Sequence, residues 1–350
     1  MGSLPLAYQL AIFLLSAVVT WLAGVTLTKT TDSLDCRFKI GEALGGLIFL
    51  GIAASLPEIA ICYSAAINGH IPVIIGNLIG GISIQTLVIV VLDLATKGKK
   101  PLSYLAGSMT LFFETIFAII ITALAIAGTF VPVKNTIFHI NPFSIIIVIA
   151  WIVGLFLINR AHRIARFNET AEDATAGRLH DQCRVSDTNP FYKGKSSLYV
   201  ILIFIFASLI TLIAGFLLEE TGTAIAGQLG IGSGIFAATV LAFITSLPEI
   251  STGLESIAIG DNHMAISDIL GGNAFMLVIF FMADLIMQKP TLSYAGNNDR
   301  LFAVLGLGLM GVYAVSFLKK LQRRYWHMGL DSVLEIIIYA FGIVALVYFR

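Results

Sequence analysis

The chain has 350 residues, of which 57% are hydrophobic and 12% charged, and its formal charge at neutral pH is zero. With a mean hydropathy of +0.92, this composition excludes a soluble globular domain and gives no basic surface for nucleic acid. Apolar runs of about 20 residues recur along the whole length, the pattern of a polytopic α-helical membrane protein.

In chain order, ten spans are predicted at 6–28, 41–67, 71–94, 104–127, 140–159, 198–218, 233–259, 264–287, 301–318 and 331–349. The first begins near Leu4 with no basic region ahead of it, so it reads as a retained span and not as a signal peptide. Placing the N-terminus outside puts 17 Lys and Arg in inner loops, seven of them between residues 160 and 196, against four outside. That bias predicts external termini and a cytoplasmic connector at 160–197. The connector mixes both signs of charge around Asn189-Pro190 and reads as a hinge between halves 1–159 and 198–350. Cys36, Cys62 and Cys183 form no CxxC pair and read as small apolar fillers or incidental thiols.

Ser-Leu-Pro-Glu occurs twice, at Ser55–Glu58 and at Ser246–Glu249, inside the second and seventh spans. At the same offset of 191, Gly69 falls on Gly260, Gly80-Gly81 on Gly271-Gly272 and Asp93-Leu94 on Asp284-Leu285. The unit is duplicated. With five spans in each half, the second copy enters the membrane the other way round, so the expected architecture is all-α, with two inverted five-helix repeats and broken helices 2 and 7.

Proline followed at once by a carboxylate is costly in hydrocarbon, and a repeated cost of this kind marks an ion site. Glu58 and Glu249, brought together by pseudo-symmetry, would offer a doubly negative oxygen cage suited to a hard cation such as Ca²⁺. Each proline also frees carbonyls about one turn earlier, near Ala53–Ala54 and Ile244–Thr245. Those carbonyls and the hydroxyls of Ser55, Thr245 and Ser246 are candidate ligands. The next span in each half supplies Asn77 and Gln85, or Asp268 and Asn273; the first three are candidate ligands and Asn273 reads as interhelical glue. Glu42, Glu114 and Glu255 also lie in apolar segments, and Glu255, six residues past Glu249, is expected to pair with another helix. Asp93 and Asp284 are placed at span ends within reach of water, and His70 and His263 in solvated turns.

This duplicated motif, with its Gly-Asn and Gly-Gly/Ser-Asp stretch beginning 18 residues after each glutamate, resembles the cation/calcium antiporters of the sodium/calcium exchanger superfamily. The resemblance covers both repeat regions and the ten-helix plan. It implies that Glu58 and Glu249 are the central calcium carboxylates, supported by Ser55, Ser246 and Thr245, and that spans one and six slide across the rest. Where the family commonly has Thr, this chain has Ala54; its Gly-Ser is Gly80-Gly81 and Gly271-Gly272; and its later polar position is Gln85 and Met276. These positions line the flanking sodium sites, so fewer sodium ligands are expected.

The implied function is an antiporter exchanging Ca²⁺ for Na⁺ in the cell membrane, with a proton-driven exchanger as the alternative and a channel behind both. No HExxH, G-x-S-x-G or paired Cys/His site is present, so no enzyme activity and no cofactor are expected. The expected partners are inorganic cations and the bilayer, and a homo-oligomer is left open.

Overall fold

The structure is a computed structural model that describes residues 4–38, 51–96, 100–134, 136, 138–169, 194–325 and 327–348, without the side chains of 35–36, 159–169 and 347–348. Glu42, Cys183, residues 41–50 of the second predicted span and 170–193 of the connector lie outside the described residues, as does the Cys36 side chain.

The chain is mostly helical. Helix α1 runs over Leu6–Phe38, α2 over Leu56–Asn68, α3 over Ile71–Ala95, α4 over Leu102–Ala106 and α5 over Met109–Gly128. Then come α6, Pro142–Glu169, α7, Ser197–Gln228, α8, residues 233–245, and α9, Leu247–Ala258. Helices α10, Asn262–Met276, α11, Ile279–Met287, α12, Asn297–Lys319, and α13, Leu330–Tyr348, complete the chain. A two-residue antiparallel ribbon, Arg324–Tyr325 with Met328–Gly329, joins the last two.

Among the described residues, seven helices are long and apolar enough to cross a membrane: Leu6–Leu34, Ile71–Ala95, Met109–Gly128, Ser197–Gln228, Ser233–Ala258, Asn262–Met287 and Asn297–Lys319. Pro142–Ile158 is a shorter apolar helix. Of the other two predicted spans, 41–67 is described only from residue 51 and 331–349 coincides with α13. Helix α7 exposes Leu202, Phe206 and Ile213, and α1 exposes Leu14, Leu15 and Leu22, side chains that suit a lipid-facing surface.

Both proline motifs interrupt a helix at the serine. Ser55 (φ −95°, ψ 20°) and Ser246 (φ −85°, ψ −3°) sit near the bridge region, and Pro57 and Pro248 open the helices that follow. Helices α2 and α9 also end alike. Gly69 and Gly260 take φ of 78° and 88°, a conformation open to residues without Cβ. The N–H groups of Gly69 and His70 return to Ala66 and Ala65; those of Gly260 and Asp261 return to Ile257 and Ser256. Each bond in one cap has its counterpart in the other at the offset of 191.

The two longest helices, α1 and α7, lie against each other; α7 also packs on α2, and α1 on α9. Helices α3 and α8 meet through π turns, Gly76–Gly80 and Ala237–Leu241. A Cβ on Gly76 would collide with the Gly234 carbonyl and one on Gly80 with Ala238, so the glycines set this close approach.

Asp93 and Asp284 correct an expectation. Each is only 1% exposed. Asp93 accepts from the N–H groups of Leu102 and Gly329 and from the Ser332 hydroxyl, at 2.6–2.8 Å. Asp284 accepts from the N–H groups of Thr291 and Asn141 and from the hydroxyls of Thr291 and Ser144. Each carboxylate thus fixes its own following turn and the start of a helix from the other half, α13 or α6. Satisfying backbone donors at two helix starts outweighs hydration at a span end.

Candidate cation site

The breaks in α2 and α9 bring the repeated glutamates to one place. Because proline has no N–H, Ala53 and Ile244 lose their usual donor four residues on. The next bonds across each break run from Ile59 to Ser55 and from Ile250 to Ser246. Main-chain carbonyls are released beside the start of each following helix, with Glu58 and Glu249 in its first turn, where a negative charge is favoured.

Gln85, from α3, joins the two carboxylates. Its Nε2 lies 3.3 Å from Glu58 Oε1 and 3.4 Å from Glu249 Oε1. The other oxygens, Glu58 Oε2 and Glu249 Oε2, have no hydrogen-bond partner, and neither do Gln85 Oε1, Asn77 Oδ1 and Asn273 Oδ1. Buried acceptors without donors are costly unless something positive sits among them. Here they comprise two carboxylate oxygens and three amide oxygens, the donor types preferred by hard cations.

The remaining candidates divide. Thr245 interacts with the Glu58 carboxylate across the two halves. The Thr245 and Ser246 hydroxyls both donate to the Ala242 carbonyl, at 3.1 and 2.7 Å, which leaves their lone pairs for other partners. Ser55 is buried and Ala54 half-buried at the break. Asn77 is fully buried, with its amide nitrogen 3.9 Å from the Cys62 sulfur. Asp268 lies within electrostatic range of Glu249 but is exposed. Asn273 donates to Thr86 of α3 at 3.1 Å, the glue role its position predicts.

The two copies differ in access. Glu58 and Asn77 are sealed at 0% exposure, whereas their counterparts Glu249 and Asp268 are half-buried and exposed. Gly271, beside Asp268, faces space with no protein atom within 4 Å of a Cβ, while its counterpart Gly80 is packed on Ala238. One wall of the site is open and the other closed.

Around it, each long helix is tied to a broken one. Lys29 of α1 pairs with Glu255 of α9 at 2.8 Å, the interhelical role expected of Glu255. On the other side Glu219 of α7, fully buried, takes hydrogen bonds from Ser64 at 2.8 Å, Asn68 at 3.1 Å and Thr223 at 3.2 Å. Its Oε1 lies 2.6 Å from His70 Nδ1. His70 is therefore not a simply solvated turn residue, because a buried carboxylate holds its ring. Glu219 was missed in the sequence because the predicted sixth span stops at 218; a charge one residue beyond an apolar run was the available signal. Glu114, another acid in an apolar segment, accepts from Ser267 at 2.8 Å. Among the described residues no three His, Cys, Asp or Glu side chains cluster as a metal site.

Both repeats, with their glutamates, fall inside a match to the sodium/calcium exchanger protein family over residues 8–161 and 199–348. The chain belongs to that family. Inner membrane protein YrbG of Escherichia coli (strain K12) is 23% identical over 294 residues, 83% of this chain and 82% of that protein. The H⁺/Ca²⁺ exchanger CAX superposes with a TM-score of 0.68 at 15% identity, covering 97% of this chain and 86% of that one. The sodium-calcium exchanger NCX_Mj superposes with a TM-score of 0.59 at 17% identity, covering 99% and 100%. The fold is thus that of the exchangers. This is an integral membrane protein of the cation/calcium antiporter superfamily, a transporter family and not an enzyme family.

Proposed function

We propose that the protein is a secondary antiporter that exchanges Ca²⁺ for Na⁺ across the cell membrane by alternating access. The observation that carries this reading is the pair Glu58 and Glu249, joined through one Gln85 amide and each left with an unpartnered oxygen. The proposed ligands are those two carboxylates with Ser55, Ala54, Thr245, Ser246, Asn77, Gln85 and Asp268. The proposed architecture is ten spans in two inverted five-helix repeats, 1–159 and 198–350, joined by a cytoplasmic connector with both termini outside. The matched helix caps, the reciprocal docking of α6 and α13, and the Lys29–Glu255 and Ser64–Glu219 ties support it.

Electrostatics makes the exchange obligatory. Two ionised glutamates with no cation carry a double negative charge, which is prohibitive to move through a low-dielectric barrier. One Ca²⁺ neutralises it, as do two sodium ions or two protons, and only then do α1 and α7 slide across the rest. Sodium is the favoured counter-ion from the family resemblance, and the lone pairs of Thr245 and Ser246 furnish part of one pocket for it on the second-repeat side. A proton-driven exchange is the second reading, favoured by the two carboxylates that share one Gln85 amide and each keep an unpartnered oxygen able to carry a proton. Calcium efflux from loaded proteoliposomes distinguishes them. A sodium gradient at fixed pH is expected to drive efflux, and a pH gradient without sodium is not. Efflux driven by pH alone rejects sodium, and efflux needing no counter-ion rejects antiport.

A further inference from the structure

A second set of unpartnered acids lies away from the cation site. Asp331 and Glu335 stand four residues apart on α13 and so share one face. They are 1% and 0% exposed, and all four of their carboxylate oxygens lack a hydrogen-bond partner. Among the described residues neither has an ion-pair partner. The guanidinium of Arg324 gives its hydrogen bonds to the carbonyls of Asp93, Thr96, Lys100 and His327.

Two neutral side chains from other elements point to what the acids hold. Tyr313 of α12 is 0% exposed, feels the charge of both Glu335 and Asp331, and has its hydroxyl beside Ser332. Ser103 of α4 is 2% exposed and sets its hydroxyl beside the Asp331 carboxylate. Four buried carboxylate oxygens and two buried hydroxyls, from three elements, therefore lie together. Burying unpaired carboxylates costs several kcal/mol each, so a structure that places two together needs a cation or protons among them.

Duplication does not explain the pair. Matching Asn141 and Ser144 at the start of α6 with Gly329 and Ser332 at the start of α13 puts Phe143 and Ile147 opposite Asp331 and Glu335. The acids belong to one half only. Asp93, which holds the start of α13, lies eight residues along α3 from Gln85, roughly 12 Å of helix.

We propose that Asp331, Glu335, Tyr313 and Ser103 form a second site, for one hard divalent cation such as Ca²⁺, that fastens α13 to α12 and α4. Two carboxylates match the charge of a divalent ion, and the all-oxygen set suits calcium. An ion held only by the folded chain stabilises it by mass action.

The test uses the full-length protein with Glu58→Gln and Glu249→Gln, which disables the first site. Equilibrium dialysis with radioactive calcium is expected to find one Ca²⁺ bound per chain, and the melting temperature is expected to rise with added Ca²⁺. Adding Asp331→Asn and Glu335→Gln abolishes both effects. Tyr313→Phe, which preserves the core, weakens the remaining binding several-fold. No binding by the folded double variant overturns the proposal, as does binding that survives loss of both acids. Melting that responds to pH but not to calcium identifies a protonated acid pair and also overturns it. Should the fourfold variant not fold, unchanged affinity in Tyr313→Phe overturns it instead. Calcium flux by the parent protein reports separately on the transport site.

Discussion

Replacing Glu58 by Gln preserves volume and removes one of the two charges that face the cation. A unit charge and a divalent ion about 4 Å apart attract by about 8 kcal/mol at an effective dielectric of 20. Much of this is offset by desolvation, but a net third, about 2.7 kcal/mol, is roughly a 100-fold loss of affinity. The substitution also sets an amide N–H₂ among acceptors at a position with 0% exposure, where water cannot compensate. Glu249→Gln is expected to act similarly, because Gln85 bridges both carboxylates. Asp268 is more open to the surface than Glu58, where attraction to a cation is more screened, so Asp268→Asn is expected to cost less than Glu58→Gln. Initial rates of radioactive calcium uptake into proteoliposomes, measured across calcium concentrations, test the order. Uptake above about half of the parent rate in a folded Glu58→Gln or Glu249→Gln protein refutes the site. An Asp268→Asn effect larger than that of Glu58→Gln refutes the reasoning from burial.

Asp93→Asn and Asp284→Asn are each expected to destabilise by about 1–3 kcal/mol, since either places an amide donor against main-chain N–H groups. Thermal melting in detergent should fall in both while half-saturating calcium stays within about twofold; a loss confined to one variant breaks the proposed equivalence of the halves. Glu219→Gln is expected to loosen α7 from α2, since charge-assisted bonds contribute about 1.5–3 kcal/mol, and hydrogen exchange should speed up at 64–70 and 219–223. Unchanged protection in both segments would mean that the tie holds nothing. In intact cells, a thiol reagent that does not cross membranes is expected to reach Cys183 only after permeabilisation, and labelling before it reverses the proposed orientation.

What the sequence revealed, and what it hid, follows from how each group is satisfied. The Ser-Leu-Pro-Glu pair was legible because a helix break and a carboxylate are each costly in an apolar run, and a repeated cost has few structural explanations. The glycines at 69 and 260 were legible as a repeated pair, and the folded chain adds that both cap a helix in a left-handed turn, which selects that residue type. Asp93 and Asp284 were misplaced because hydropathy records where an apolar run stops and not whether a carboxylate there meets water or N–H groups from a distant turn. Their partners lie up to 239 residues away, beyond the reach of any local pattern. Gln85 could be nominated from its place on an apolar span, but its position between both glutamates depends on how α3 crosses α2 and α9. Glu219 and Glu335 escaped for opposite reasons. Glu219 lies one residue beyond a predicted span, though it is fully buried and binds His70, Ser64, Asn68 and Thr223. Glu335 lay inside a predicted span but has no repeat partner, and it was the repeat that made Glu58 and Glu249 conspicuous. A duplicated sequence advertises the sites that both copies keep. Acids carried by one copy, such as Asp331 and Glu335, show themselves only in the folded chain, as buried oxygens without a hydrogen-bond partner.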